Sequence, residues 1–261
     1  GSAVSAALAV PLAAALGGWR AALLVFSVAS CVLVAVWLGL TRHEPAHARV
    51  AGRPPRLPWR RSIAWLLVAI FALMACAYYG INSWVPDSLI ERGWQEGEAG
   101  AMIAVLNVAA IPAAFLVPWL SERVGGRRPW LIAMSGFFVA GALGFTLAPG
   151  AALVWAVSAG LASGAMFSLV MTLPLDLADR PALVGALAAM MLGVGYTIGA
   201  ASPLVLGAAR DATGSFTASL WLLVAFCAGL SALVSLVPRR RPAAPASSDA
   251  AVSRAARPRR P

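Results

Sequence analysis

Pro118-Trp-Leu-Ser-Glu-Arg-Val-Gly-Gly-Arg-Arg-Pro129 gathers four charged residues, Glu122, Arg123, Arg127 and Arg128, between two runs that carry none, Ala99 to Leu120 and Trp130 to Pro149. An uncharged helix of about 20 residues matches the hydrocarbon thickness of a bilayer, so the charged segment reads as a short turn in water between two membrane spans. The rest of the chain repeats this contrast. Apolar residues make up 61% and charged residues 11%, against about 25% charged in an ordinary soluble domain. The composition therefore predicts an all-α, polytopic membrane helical bundle.

The 20 basic residues, all arginine, leave a net charge of +10. They sit in loops and in the tail rather than on one face, the pattern of membrane orientation signals and not of a nucleic-acid surface. Cys31, Cys76 and Cys227 lie singly inside apolar runs and read as small core residues. His43 and His47 are four apart, but Pro45 between them opposes the helix that would aim both at one metal. The chain has no HExxH, no G-x-S-x-G, no P-loop and no carboxylate pair at membrane depth, so neither an enzyme nor a cofactor is indicated.

Taken in order, Ser2 to Leu16 is expected to be the end of a helix that begins upstream, Gly17 to Arg20 a turn, and Ala21 to Leu40 a span. Residues 41–62 form a basic, proline-interrupted linker with Pro45, Pro54, Pro55 and Pro58. Six further spans are predicted at Ile63 to Val85, Ala99 to Leu120, Trp130 to Pro149, Ala151 to Leu173, Ala186 to Ala209 and Thr217 to Val237. The Arg-, Ala- and Pro-rich segment 238–261 reads as a disordered tail. Because eight helices joined by turns alternate direction, the arginines divide into a set of 17 in the linker, the Glu122 turn, the Asp176 to Asp179 loop with Arg180, and the tail, and a set of three, Arg20, Arg92 and Arg210. The richer side is expected to be cytoplasmic. No formal charge lies within the spans as drawn, so the chain offers no evident proton relay at membrane depth.

Within the spans, Tyr78-Tyr79-Gly80-Ile-Asn82-Ser83-Trp84-Val-Pro86 is the most polar stretch. Its hydroxyls and amide need partners that lipid does not supply, which points either to a solute path or to an interfacial aromatic belt. Asn107 divides in the same way between pathway and helix–helix contact. Ser168 and Tyr196 are further candidates to touch a solute, whereas Ser163 and Thr172 are expected to bond their own helix backbone. Gly193-Val-Gly195-Tyr-Thr-Ile-Gly199 resembles a dinucleotide loop only on paper, because it falls inside an apolar helix. Gly195 with Gly199, and Gly160 with Gly164, instead suit close approach of two helices, and Pro203 marks a place where a helix could bend.

These residues together resemble the major facilitator superfamily. The Glu122 turn is similar to that family's cytoplasmic signature, G-x-L-a-D-R-x-G-R-K, through Leu120, Glu122, Arg123, Gly125 and Arg127. It departs from it at Pro118 and Gly126, and Arg128 stands where it could supply the displaced charge. Trp84-Val-Pro86 with Gly93, Ala99-Gly100, Pro112 and Pro118 resembles the cyanate and nitroimidazole permease branch, as do Gly195-Tyr196, Pro203, Gly207, Asp211 and Thr213-Gly214. The resemblance implies a twelve-helix transporter of the plasma membrane, with residues 1–40 ending an N-terminal bundle whose first four helices are absent, and 63–237 forming the C-terminal six-helix bundle. It implies a small solute as partner, with Tyr78, Tyr79, Asn82 and Trp84 facing a central cavity. It also implies a cytoplasmic charge latch of Glu122, Arg123, Arg127 and Arg128 that engages the start of the fifth helix, near Gly1, with its carboxylate close to a helix N-terminus. Missing helices or a second chain would be needed to complete the bundle; the alternative is a non-transporting remnant or interaction subunit.

Overall fold

The computed structural model describes residues 12–13, 15–41 and 57–238. Ser2 to Leu16 for the most part, the linker histidines and the tail beyond Pro238 lie outside the described residues. Among the described residues the chain is all helix, with seven helices long and apolar enough to cross a membrane. These are α1 (Trp19–Thr41), α2 (Ser62–Glu91), α3 (Glu96–Arg123), α4 (Arg127–Leu147), α5 (Ala152–Leu177), α6 (Pro181–Thr213) and α7 (Phe216–Ser235), with a 3-10 turn at Pro149–Ala151 before α5.

The helices overrun the spans drawn from sequence. α2 continues six residues past Val85, through Pro86; the proline deprives the Asn82 carbonyl of its helical amide, which a membrane helix tolerates where neighbouring helices pack against it. The overruns carry Asp87, Glu91, Glu96, Glu98, Asp176 and Asp211 onto helix ends. The Glu122 segment is also tighter than a twelve-residue turn. α3 runs to Arg123 and α4 starts at Arg127, leaving Val124-Gly125-Gly126 to reverse the chain. Gly125 and Gly126 have φ of 98° and 110°, a region in which a Cβ is strained, so this short reversal depends on glycine.

α2 lies at the centre of the bundle, packed on α3, α5, α6 and α7. Two seams are closest, α2 with α6 and α3 with α5. Each is made of small residues. A Cβ added at Gly195 or Gly199 would collide with Phe71 or Ala75 of α2, and one at Gly160 or Gly164 with the Leu106 or Ala110 carbonyl of α3. Because lipid tails are as apolar as leucine, helices associate in a bilayer through such close van der Waals contact rather than by escape from the surroundings. Around these seams Leu67, Phe71, Phe138, Phe145 and Met166 are fully buried. α1 is different. Leu24, Leu33, Trp37 and Leu40 are each about two-thirds exposed, and among residues 19–40 only Ala22 is buried.

Side chains tie the helix ends together at both faces. At the end carrying the α3–α4 turn, Arg127 pairs with Asp176 of α5, Arg61 with Asp179 at 2.7 Å, and Arg128 donates to the Ser235 carbonyl of α7 at 2.7 Å. At the other end Arg92 donates to the Phe145 and Thr146 carbonyls at 2.6 and 3.2 Å. Both carbonyls belong to the last turn of α4, where acceptors lack helical partners and the dipole favours a cation. Arg92→Ala is expected to cost about 1–2 kcal/mol, the scale of a lost charge-assisted cap. Thermal unfolding in detergent measures it, and an unchanged midpoint would remove this role.

Candidate functional site

The polar stretch of α2 opens onto a cavity of about 480 Å³ between α2, α3, α5 and α6. Tyr78, Tyr79, Asn107 and Tyr196 line it together with Phe71, Phe115, Phe167, Ser163 and Gly164. The α2 contribution follows from register: Phe71, Met74, Ala75 and Tyr78 recur at spacings of three, one and three and so share one helical face, and Asn82, one turn beyond Tyr78, lies outside the lining. Phe71 meets Tyr196 edge-on, with ring centroids 4.8 Å apart.

The polar groups are joined across helices. The Tyr78 hydroxyl donates to Asn107 Oδ1 at 2.9 Å. Asn107 Nδ2 donates to Asn82 Oδ1 at 3.1 Å and to the Ile103 carbonyl at 2.9 Å. Asn82 Nδ2 in turn donates to the Tyr78 carbonyl at 2.8 Å. Both Asn107 amide hydrogens are thereby engaged, and the site keeps the Tyr79 and Tyr196 hydroxyls and the lone pairs of the Tyr78 oxygen for another molecule. No lining residue of this cavity carries a formal charge. The lining does not suit an unpaired ion, because a charge there would lose its hydration without a counter-charge.

Other sequence candidates lie elsewhere. Trp84 is six residues beyond Tyr78, on a different face of α2. Its indole N–H donates to the Pro203 carbonyl at 2.9 Å, and its ring packs on Phe216 at 5.7 Å. It thus braces α2 against the proline-interrupted part of α6. Ser168 is half-buried on α5 and outside the cavity lining. Ser163 and Thr172 bond the Gly160 and Leu169 carbonyls of their own helix. Phe71, Phe115 and Phe167 were not anticipated, since an aromatic in an apolar span carries no mark of its neighbours. Their spacing to Tyr78, Ile111 and Gly164 along each helix was the available signal.

The charged residues form a second region, around a cavity of about 940 Å³ at the end of the bundle. Arg127 lies between two carboxylates, Asp176 and, at 3.4 Å, Glu122. Glu122 itself belongs to the last turn of α3, but its carboxylate reaches the first residue of α4, a helix N-terminus. Arg128 is directed to α7, and Arg123 stacks over Trp119 at 3.9 Å. The expected partner near Gly1 lies outside the described residues. Asp176, 49 residues from Arg127, is the member that sequence reasoning assigned only to a loop. No group of three or more metal-ligating side chains occurs among the described residues.

Comparison with known proteins bears on these geometries. The sequence profile of the Major Facilitator Superfamily matches residues 1–200. The 2-nitroimidazole transporter of Escherichia coli K12 is 29% identical over 84% of this chain and 56% of its own length. The cyanate transport protein CynX of the same organism is 27% identical over 80% and 54%. The uncharacterized transporter YycB of Bacillus subtilis 168 is 26% identical over 86% and 56%. The chain thus spans about half the length of the curated relatives it matches. A profile match over most of the sequence, seven bilayer-length helices and the charged glycine turn between α3 and α4 agree, and the chain belongs to the major facilitator superfamily, in the branch these relatives represent.

Proposed function

We propose that the chain is part of a solute permease of the plasma membrane that works by alternating access. In this reading residues 63–237 are the C-terminal bundle, 1–40 end the N-terminal bundle, and 41–62 form a cytoplasmic linker on the same side as the tail. The observation that carries it is the Tyr78–Asn107 hydrogen bond, a cross-helix pair of uncharged polar groups lining a cavity at membrane depth, with Asn82 bonded to Asn107 from outside the lining. The cavity is open where Phe115, Ile111 and Tyr196 are 76%, 51% and 40% exposed, and the facing bundle, or a second chain, would close it.

The lining favours a small, uncharged, planar solute over an anion. Aromatic faces supply stacking, the tyrosine hydroxyls supply directional contacts, and no cation is present to hold cyanate. The 2-nitroimidazole transporter among the relatives is in keeping with this preference.

Uptake into proteoliposomes, with 2-nitroimidazole and cyanate as competing solutes, tests both points. Tyr78→Phe and Asn107→Ala each remove one linked hydrogen-bonding group and are expected to raise KM about tenfold, as a net loss of 1–1.5 kcal/mol implies. Unchanged kinetics in both variants would remove the site, and preferential cyanate uptake would reverse the substrate class.

A second reading, an interaction subunit without transport of its own, draws on the open side of the cavity, where Phe115 is 76% exposed. Uptake by this chain alone would exclude it. Uptake that requires co-expression of helices able to close the cavity would favour the permease.

A further inference from the structure

Beside the Arg127–Asp176 end of the bundle lies a surface that the transport reading leaves unused. Trp59 and Trp65 pack with ring planes tilted by 51° and centroids 5.8 Å apart, and the Trp65 indole donates to the Trp59 carbonyl at 2.9 Å. That bond fixes the segment entering α2 against its first turn. Both rings nevertheless remain open, 50% and 44% exposed. A half-exposed indole pair at the end of a membrane helix fits the headgroup layer, where an apolar ring and a polar edge are both accommodated.

The charges next to these rings are not balanced. Arg61 pairs with Asp179, but with side chains 47% and 73% exposed, an exposed pair that holds little energy. Arg60 and Arg180 each stand one residue from that bridge, are exposed, and have no side-chain partner among the described residues. Three guanidiniums against one carboxylate, flanked by two indoles, make a cationic aromatic edge that complements a lipid phosphate.

We propose that Trp59, Arg60, Arg61, Trp65 and Arg180 form a binding site for the phosphate-bearing headgroup of an anionic phospholipid. This inference rests on the membrane topology and not on the transport reading. The site is open and shallow, so a dissolved phosphate would be screened and weakly held. A lipid brings a glycerol and acyl portion that the exposed indoles and the 41% exposed Leu57 can cover.

Native mass spectrometry of the full chain tests this, titrating phosphatidylglycerol, phosphatidylcholine of the same acyl chains, and inorganic phosphate. Phosphatidylglycerol is expected to be retained over phosphatidylcholine. A basic residue near an anionic surface is worth about fivefold in affinity, so Arg60→Gln with Arg180→Gln should weaken phosphatidylglycerol roughly 20- to 30-fold and leave phosphatidylcholine unchanged. Asp179→Asn frees Arg61 and should strengthen phosphatidylglycerol about fivefold; a merely structural bridge would show no such gain. The proposal is overturned by unchanged phosphatidylglycerol affinity in a folded double variant, by weaker lipid binding in Asp179→Asn, or by displacement of the lipid by inorganic phosphate at equal concentration. Were the double variant not to fold, the Asp179→Asn and phosphate arms would still decide. None of these outcomes depends on solute uptake, so failure here and failure of the permease are separate results.

Discussion

Gly164→Leu is expected to lower the thermal midpoint of the detergent-solubilised protein by about 6–12 °C, or to prevent its recovery in monodisperse form. A Cβ at this position would fall inside the van der Waals envelope of Ala110, 2.7 Å from its carbonyl carbon. Side-chain clashes can relax by changing rotamer. This one is with backbone, so α3 and α5 must separate along their closest seam. Overpacking costs about 1–3 kcal/mol and occasionally more, and the upper figure applies where the neighbour is a helix backbone. For a chain of this size about 3 kcal/mol corresponds to the stated shift. Gly164 also lines the Tyr78 cavity, so a surviving variant should lose solute affinity as well. Gly136→Ala is the control, because nothing lies within 4 Å of a Cβ there, and its midpoint should not fall and should rise by up to about 4 °C, the helix-propensity gain of alanine over glycine. Equal midpoints for the two variants would disprove the close α3–α5 seam.

Asp176→Asn is expected to destabilise the bundle by about 2 kcal/mol and to slow turnover more than it weakens solute binding. The Asp176 and Arg127 side chains are 13% and 23% exposed. Removing one charge leaves the other half-buried, with Glu122 at 3.4 Å as its remaining carboxylate. Breaking a fully buried pair costs about 3–5 kcal/mol; partial access to water reduces that here. Because the pair joins the start of α4 to the end of α5, the reading as a latch requires it to favour one arrangement of the two bundles, so its loss should act on kcat. Glu122 is 68% exposed, and Glu122→Ala should cost under about 1 kcal/mol of stability while still impairing the cycle more than affinity. The double exchange Arg127→Asp with Asp176→Arg should recover part of the stability. A stable Asp176→Asn variant with normal turnover would defeat the latch, and an equal loss in solute affinity would move these residues to the binding step.

How far the site could be read from sequence varies by residue. Asn82, Asn107 and Tyr78 stood out singly, since hydrogen-bonding groups in apolar spans need partners. That they are one another's partners depends on the rotation of α2 against α3, which their type does not encode. Trp84 shows the reverse. It belongs to the same polar stretch, but its position on α2 turns it to the Pro203 carbonyl and Phe216, so proximity in sequence misled. Ser168 and Gly164 are one turn apart on α5, yet Gly164 lines the cavity and Ser168 does not. Asp176 was invisible as a partner because its pairing with Arg127 closes only when α4 and α5 pack.

Bilayer thickness and the cost of burying charge act along the chain one segment at a time, so the linear order of residues was enough to establish a helical membrane protein and the approximate places of its seven described membrane-capable helices. The membership of the cavity and of the charge cluster came from three-dimensional packing. Glycine seams with no polar signal bring particular helix faces to backbone contact, and a rotation of one residue, about 100° on a helix, would have placed different side chains at each site.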